Sequence, residues 1–253
     1  MPDLIAALGP MPAIPVIIAA ILAGLVRGYT GFGAAMIFMP VGGAYFGPQA
    51  AVGVLMVIDG IMQLGMVRAA WGHARWGEMK PLFVGYFIGL PFGIYLLTTM
   101  DPTPLRWATS LSIVASLTVL ASGRRIPATP GLGLTLSTGV VSGLVSGAAS
   151  LGGMILSLFW LAGPARNEAV RGSTVSFFML ASIVSCSLLA YAGVFTADVF
   201  RLAAWLIAPY GIAMAAGSLL FGHAAPSLFR PAAFAVIAIA AITSLPALDP
   251  WLR

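Results

Sequence analysis

Two charged side chains stand deep within apolar stretches of the sequence, where a charge is rare and costly. Arg27 lies at a glycine-rich interruption of the first apolar stretch. Asp59 lies near the middle of the next stretch, with Gln63 one helical turn later. The planar, forked guanidinium of an arginine matches an oxoanion that presents several acceptor oxygens. These residue types at these positions indicate the binding of a small anion in an apolar setting.

The sequence leaves several interpretations of the two charges open. Arg27 contacts an anionic substrate, or forms a structural ion pair with Asp59, or extends to a polar interface. Asp59 pairs with Arg27 or carries a coupling proton. A pair would be neutral and cheaper to bury than either charge alone, and backbone groups would then hold most of the anion.

Two glycine-rich segments, 27–33 and 146–153, supply further groups that can bind an anion. Several glycines in a row, mixed with polar residues, predict an interrupted helix. Backbone N–H groups at the start of a half-helix attract anions, assisted by the helix dipole, and nearby hydroxyls can donate as well. The predicted substrate-binding residues are Arg27, Gly28, Tyr29, Thr30, Gly31, Gly33, Ser146, Gly147, Ser150, Gly152, Gly153, Ser173 and Thr174, with Asp59 and Gln63 as coupling or ion-pair residues.

Some of these residues have a plainer interpretation. Gly24 and Gly143 precede Gly28 and Gly147 by four residues, and this spacing is typical of closely packed helices. Hydroxyls in membrane helices often bond to their own backbone. Two further residues, Arg166 and Arg171, either form a basic vestibule that collects anions or mark the membrane topology and contact lipid phosphates.

The elements that must position these residues follow from composition. The chain is 60% hydrophobic and 8% charged, against about 25% charged residues in a soluble domain. Apolar runs of about 20 residues, enough to cross a bilayer, recur along it. The predicted full spans are 48–67, 81–100, 105–121, 173–191, 202–221 and 229–245, and two interrupted stretches cover 12–45 and 131–163. The sequence therefore predicts an all-α integral membrane protein.

The interrupted stretches resemble each other at an offset of 119 residues. Residues 24–28 (GLVRG) align with residues 143–147 (GLVSG), and Gly33 aligns with Gly152. We interpret this as an internal duplication with two halves, 1–122 and 123–253. Each half contains one broken or re-entrant helical hairpin followed by three full spans. Paired glycine-interrupted segments in two halves are a pointer to a transporter site at the midplane.

The basic residues favour hairpins over complete crossings. If each broken stretch enters and leaves on one side, eight of the arginines and lysines face the cytoplasm and three face outward. Three full spans then separate the hairpins, so the halves are inverted and both termini lie outside. The net charge of +5 is explained by this topology rather than by nucleic-acid binding.

At the two breaks the sequence resembles the TauE/SafE family of sulfite and organosulfonate exporters. The resemblance rests on residues 24–35 with Pro40, on residues 143–153, and on the stretch 167–174, which is similar to the start of the next helix in the family. It implies a secondary transporter in the bacterial inner membrane that exports sulfite or an organosulfonate such as sulfoacetate or sulfolactate by alternating access.

Other functions compete with this one. The same fold could import thiosulfate, a sulfonate or another small organic anion, or form an anion channel. An enzyme is disfavoured because no nucleophile and base can be paired, and no metal or cofactor site is expected. The expected partners are a small anionic substrate and membrane lipids, without nucleic acid. A coupling proton or sodium ion and a homodimer are compatible with this interpretation.

Overall fold

The structure, a computed structural model, describes residues 10–121, 131–161 and 167–220, and its regular elements in these ranges are helices. A short 3-10 turn, Trp71–His73, follows the third α-helix. The α-helices are α1 (Pro10–Thr30), α2 (Ala34–Phe46), α3 (Pro48–Ala70), α4 (Trp76–Thr99), α5 (Pro102–Ala121), α6 (Leu132–Ala149), α7 (Gly152–Leu161), α8 (Asn167–Tyr191) and α9 (Ala197–Leu220).

Five of these helices are long and apolar enough to cross a membrane, namely α3, α4, α6, α8 and α9. Four of them overlap the predicted spans 48–67, 81–100, 173–191 and 202–221. The predicted span 105–121 falls in α5, and the span 229–245 lies outside the described residues. Helix α6 differs from expectation because it is long enough to span on its own, although the sequence placed it in an interrupted stretch.

Both expected helix breaks are present, and both are shorter than the glycine-rich segments that predict them. The chain leaves helical geometry at residues 31–33 and again at 150–151. Gly31 and Gly33 have φ of 81° and 93°, and Ser150 has φ of 57°. These left-handed conformations suit glycine and are unusual for serine. The residues just before each break remain helical, since Gly31 N–H donates to the Arg27 carbonyl and Ser150 N–H to the Ser146 carbonyl, each at 2.8 Å.

The chain doubles back after each break. Ser142 Oγ donates to the Gly152 carbonyl at 2.7 Å, whereas ten residues of continuous helix would separate them by about 15 Å. In the first hairpin, a Cβ on Gly33 would lie 3.1 Å from Val26 Cγ1. The returning helices α2 and α7 have 13 and 10 residues, too few to cross about 30 Å of hydrocarbon. Each break is therefore the tip of a helical hairpin with one long and one short arm.

Glycines bring two pairs of helices into backbone contact. A Cβ on Gly85, Gly89 or Gly93 of α4 would collide in turn with the carbonyl oxygens of Leu136, Val140 and Leu144 of α6. The contacts advance together along both helices, so α4 and α6 run parallel. This is the close approach that small residues at every fourth position allow.

Helices α1 and α9 form the second such pair. A Cβ on Gly24 or Gly28 would collide with the carbonyl oxygen of Tyr210 or Met214, and a Cβ on Gly217 with that of Leu25. These two helices also run parallel. The prediction that Gly24 and Gly143 serve helix packing is confirmed, because a Cβ on Gly143 would likewise collide with the Tyr86 carbonyl.

Candidate functional site

Arg27 projects from the last turn of α1 into the protein interior, where its side chain is 6% exposed. Nε donates to Asp59 Oδ1 at 2.9 Å, Nη1 to the Gly31 carbonyl at 2.5 Å and Nη2 to Gln63 Oε1 at 3.2 Å. Cζ lies 5.1 Å from the centre of the Phe178 ring, at cation–π distance. Extension of Arg27 to a polar interface, one of the three interpretations, is therefore wrong. The ion pair with Asp59 is present.

Asp59 sits at the midpoint of α3, about 17 Å from either end of that helix. Its Oδ1 also accepts a hydrogen bond from the Tyr210 hydroxyl of α9 at 2.5 Å. Its side chain is 19% exposed, more than that of its partner Arg27. Three helices, α1, α3 and α9, thus meet at one carboxylate oxygen.

A cavity of about 80 Å³ lies between the tips of the two hairpins. Arg27 and Asp59 are the charged side chains among the described residues that line it. The first hairpin contributes Arg27, Phe32, Gly33, Ala34, Ala35 and Met36; the second contributes Ser146, Ser150, Leu151, Gly153 and Met154; and α3, α4 and α8 contribute Leu55, Met56, Asp59, Tyr86, Phe178, Ala181, Ser182 and Ser185. The volume suits several waters or one small oxoanion.

Both short helices begin at this cavity. Gly33, Ala34 and Ala35 at the start of α2 line one side, and Gly153 and Met154 at the start of α7 line the other. The first N–H groups of a helix have no partner within it, and the helix dipole places partial positive charge at that end. Two such ends facing one space, together with Arg27, make the cavity attractive to an anion.

Hydroxyl groups line the second-hairpin side of the cavity. Ser150 Oγ is shielded from solvent and has no hydrogen-bond partner among the described residues. Tyr86 and Ser185 share a hydrogen bond of 3.3 Å between their hydroxyls, and Ser146 bonds to Tyr86 as well. Neutral hydroxyl-bearing residues and the Arg27 guanidinium thus line the same cavity.

Several of the predicted site residues lie away from the cavity, because their side-chain positions serve packing. A Cβ on Gly147 would overlap backbone atoms of Leu90 and Ile94, and a Cβ on Gly152 would overlap those of Ser142. A Cβ on Gly28 would likewise overlap backbone atoms of Met214. Thr30 Oγ1 donates to carbonyls of its own segment, that of Val26 at 2.8 Å and that of Phe32 at 2.6 Å. Gly31 reaches the site only through its carbonyl, which accepts from Arg27.

The remaining predicted residues are placed as follows. Ser173 is buried and its Oγ accepts a hydrogen bond from the Arg75 N–H at 3.0 Å, which ties α8 to the residue before α4. Thr174 is buried next to it, and Tyr29 is half-buried; neither lines the cavity. Arg166 lies outside the described residues, and Arg171 lies in α8 with no description of its side chain. The vestibule stays a prediction.

Gln63 links α1 to α8 beside the cavity. While its Oε1 accepts from Arg27, its Nε2 donates to Ser182 Oγ of α8 at 2.8 Å. Gln63 is 1% exposed. Its two partners are thus on the first hairpin and on the helix that follows the second.

Five residues at the site were missed by sequence reasoning: Tyr86, Phe178, Ser182, Ser185 and Tyr210. A signal existed for three of them, since Phe178, Ser182 and Ser185 recur at helical spacing on one face of α8. Ser182 is also separated from Gln63 by the 119 residues of the sequence offset. The two tyrosines carry no such signal, because tyrosine in an apolar helix reads equally well as packing.

The fold is that of a multi-pass membrane protein: helices fit to cross a bilayer surround two hairpin tips and a small cavity lined by one ion pair and several hydroxyl-bearing residues. The family model described as "Sulfite exporter TauE/SafE" matches residues 16–244. The chain belongs to this family, as its resemblance at the two breaks implied. No match to the chain was found among the curated proteins or among the solved structures.

Proposed function

We propose that this protein is a secondary transporter that exports a small sulfur oxoanion, sulfite or a short organosulfonate, across the bacterial inner membrane. The observation that carries the proposal is the meeting of both hairpin tips at one cavity that holds Arg27. A family named for sulfite export supplies the substrate class. The cavity supplies donors matched to an oxoanion: the guanidinium, the starts of α2 and α7, and the hydroxyl of Ser150.

Arg27 retains hydrogen-bond donors that can serve a substrate, although it is paired with Asp59. A guanidinium has five N–H groups, and three of those on Arg27 are used by Asp59, Gly31 and Gln63. The other two have no hydrogen-bond partner in the described part of the chain. Two donors on one planar group can hold two oxygens of an oxoanion, an arrangement stronger than a single neutral hydrogen bond.

We further propose that the two halves are inverted repeats that alternate in exposing the cavity. Supporting this, α1 and α6 end 119 residues apart, at Thr30 and Ala149, and α3 and α8 begin 119 residues apart, at Pro48 and Asn167. The Gln63–Ser182 hydrogen bond joins residues at the same separation. A two-fold relation between the halves would place such a pair at its axis, and alternating access through inverted repeats uses a site in that position.

Flux measurements with the purified protein in liposomes test the proposal. We expect saturable uptake of sulfite or a short sulfonate such as sulfoacetate, accelerated by the same anion on the opposite side of the membrane. Taurine, thiosulfate and sulfate complete the comparison, and liposomes without protein are the control. Absence of flux for every one of these compounds would refute the transport proposal, and flux without acceleration from the opposite side would indicate a channel instead.

A further inference from the structure

The cavity between the hairpin tips contains one positive and one negative side chain. Arg27 Nε and Asp59 Oδ1 are 2.9 Å apart, and both residues line the cavity. The other polar side chains that line it are the hydroxyls of Tyr86, Ser146, Ser150, Ser182 and Ser185, which are neutral. The tyrosine that reaches Asp59 from α9, Tyr210, is a hydroxyl donor too. The formal charge that the described residues give to the site is therefore zero.

A site of zero charge treats singly and doubly charged anions differently. A bound monoanion leaves one net negative charge in the interior, and a dianion leaves two. At an effective dielectric constant of about 20, two unit charges about 6 Å apart interact by an energy equivalent to a factor of about 100 in affinity. Removing one negative charge of the site therefore raises the affinity for a dianion about 100-fold more than the affinity for a monoanion. Neutral donors such as hydroxyls and helix starts lessen this penalty without removing the charge dependence.

We propose that Asp59 makes the site select singly charged oxoanions, such as sulfonates and hydrogensulfite, over doubly charged ones, such as sulfate. The inference rests on the proposed function and assigns a specificity-determining role within the same site. Asp59 cancels the charge of Arg27 while leaving two guanidinium N–H groups for the substrate. The N–H and hydroxyl donors then recognise the arrangement of oxygens on the anion, and the Asp59 carboxylate disfavours an anion with more than one negative charge.

The contacts of Asp59 distinguish this role from mere support of Arg27. Arg27 is already held by the Gly31 carbonyl, by Gln63 and by the Phe178 ring, so its position has three supports besides the carboxylate. The hydrogen bonds that Asp59 accepts from Arg27 and Tyr210 both go to Oδ1, and Oδ2 has no hydrogen-bond partner among the described residues. A carboxylate oxygen with no such partner, on a residue that lines the cavity, repels a second negative charge directly.

Methanesulfonate and sulfate provide the decisive comparison. Both are small and roughly tetrahedral, and each keeps one charge state near neutral pH, one negative charge for the first and two for the second. We expect wild-type protein in liposomes to transport methanesulfonate at least about tenfold better than sulfate. Asp59→Asn, which keeps the size of the side chain and removes its charge, should lower this preference at least about tenfold. Asp59→Glu keeps the charge and should keep the preference for methanesulfonate.

The possible outcomes distinguish a failure of the selectivity role of Asp59 from a failure of the proposed transport function. Equal transport of both anions by wild type, or an unchanged preference in Asp59→Asn, would overturn the role of Asp59 while leaving the transporter intact. Transport of neither anion, nor of any other in the flux experiment, would remove the proposed function itself. If Asp59→Asn does not fold, thermal unfolding of the wild type decides: methanesulfonate should raise the unfolding temperature and sulfate at equal ionic strength should not. Equal stabilisation by both ions would refute the inference.

Discussion

The two hairpins of this protein share a construction and differ in chemistry. In both, a long arm ends in a residue with left-handed backbone, a short arm returns, and the long arm packs through glycines against a parallel helix. Yet the last turn of α1 carries Arg27 where the last turn of α6 carries Ser146, 119 residues later. At the same separation, α3 carries Asp59 and α8 carries Phe178.

The difference places the charges on the first hairpin and α3, and serines and a phenylalanine on the second hairpin and α8. Arg27 contacts both Asp59 and Phe178, the two residues that correspond at this separation. It contacts Asp59 through an ion pair and the Phe178 ring through a cation–π contact. A pair of charges in each half would place four charges in about 80 Å³, and every one of them would need a desolvated partner. With the proposed function, one pair faced by hydroxyls and an aromatic ring would bind an anion at a smaller desolvation cost.

The largest effect is expected from making the hairpins chemically alike. Arg27→Ser places in the first hairpin the residue of the second, and it should lower transport at least about 100-fold, because charge-assisted hydrogen bonds are each worth about 1.5–3 kcal/mol. It should also destabilise the protein by about 3–5 kcal/mol, since Asp59 is left buried without its cation. Liposome flux and thermal unfolding in detergent measure the two losses.

A double variant separates those losses. Arg27→Ser with Asp59→Asn removes both charges, so stability should recover by several kcal/mol relative to the single variant while transport stays low. If transport recovered along with stability, Arg27 would be a structural residue, and the contrast between the hairpins would concern folding alone.

The second effect concerns what the hairpins share. Gly28→Val and Gly147→Val should each greatly lower the yield of folded protein, because the new Cβ would overlap backbone atoms of α9 and α4, which cannot rotate away. Size-exclusion chromatography of fluorescently tagged protein provides the measurement. Gly65→Ala is the matched control: Gly65 lies in α3, and a Cβ there meets nothing within 4 Å. Normal folding of both valine variants would refute the packing role at these positions.

The smallest effect is expected at the hydroxyl side. Ser150→Ala should weaken substrate affinity about threefold to tenfold, the value of one neutral hydrogen bond, and should leave the unfolding temperature nearly unchanged because Oγ has no partner to lose in the described part of the chain. Concentration-dependent flux measures the affinity. Ser137→Ala on the exposed face of α6 is the comparison variant, and a loss as large there would show that Ser150 is not special.

The sequence predicted the large features of this fold because they follow from composition and repetition. Runs of apolar residues located α3, α4, α8 and α9, and clustered glycines located both breaks. Arg27, Asp59 and Gln63 were found because a charge or amide in an apolar helix is conspicuous, and the structure brings all three into contact.

What the sequence could not decide is which way a helical residue faces. Gly28 and Gly31 stand three residues apart in one glycine-rich segment, yet the first packs against α9 and the second bonds to Arg27. A glycine motif looks the same in both roles, and only the path of the neighbouring helix separates them. Tyr210 and Tyr86 were not predicted as site residues for the same reason, because their hydrogen-bond partners lie on helices far away in the sequence.

The parallel packing of α1 on α9 and of α4 on α6 also determines which pieces of the protein can travel together. Each contact is made between main chains and, in the proposed division into 1–122 and 123–253, joins the early residues of one half to the later residues of the other. In that division the halves are intertwined, and neither could move as a rigid body without part of the other. Any rearrangement that uncovers the cavity must move α1 together with α9 and α4 together with α6. The units that move are therefore pairs of helices drawn from both proposed halves, and not the halves themselves.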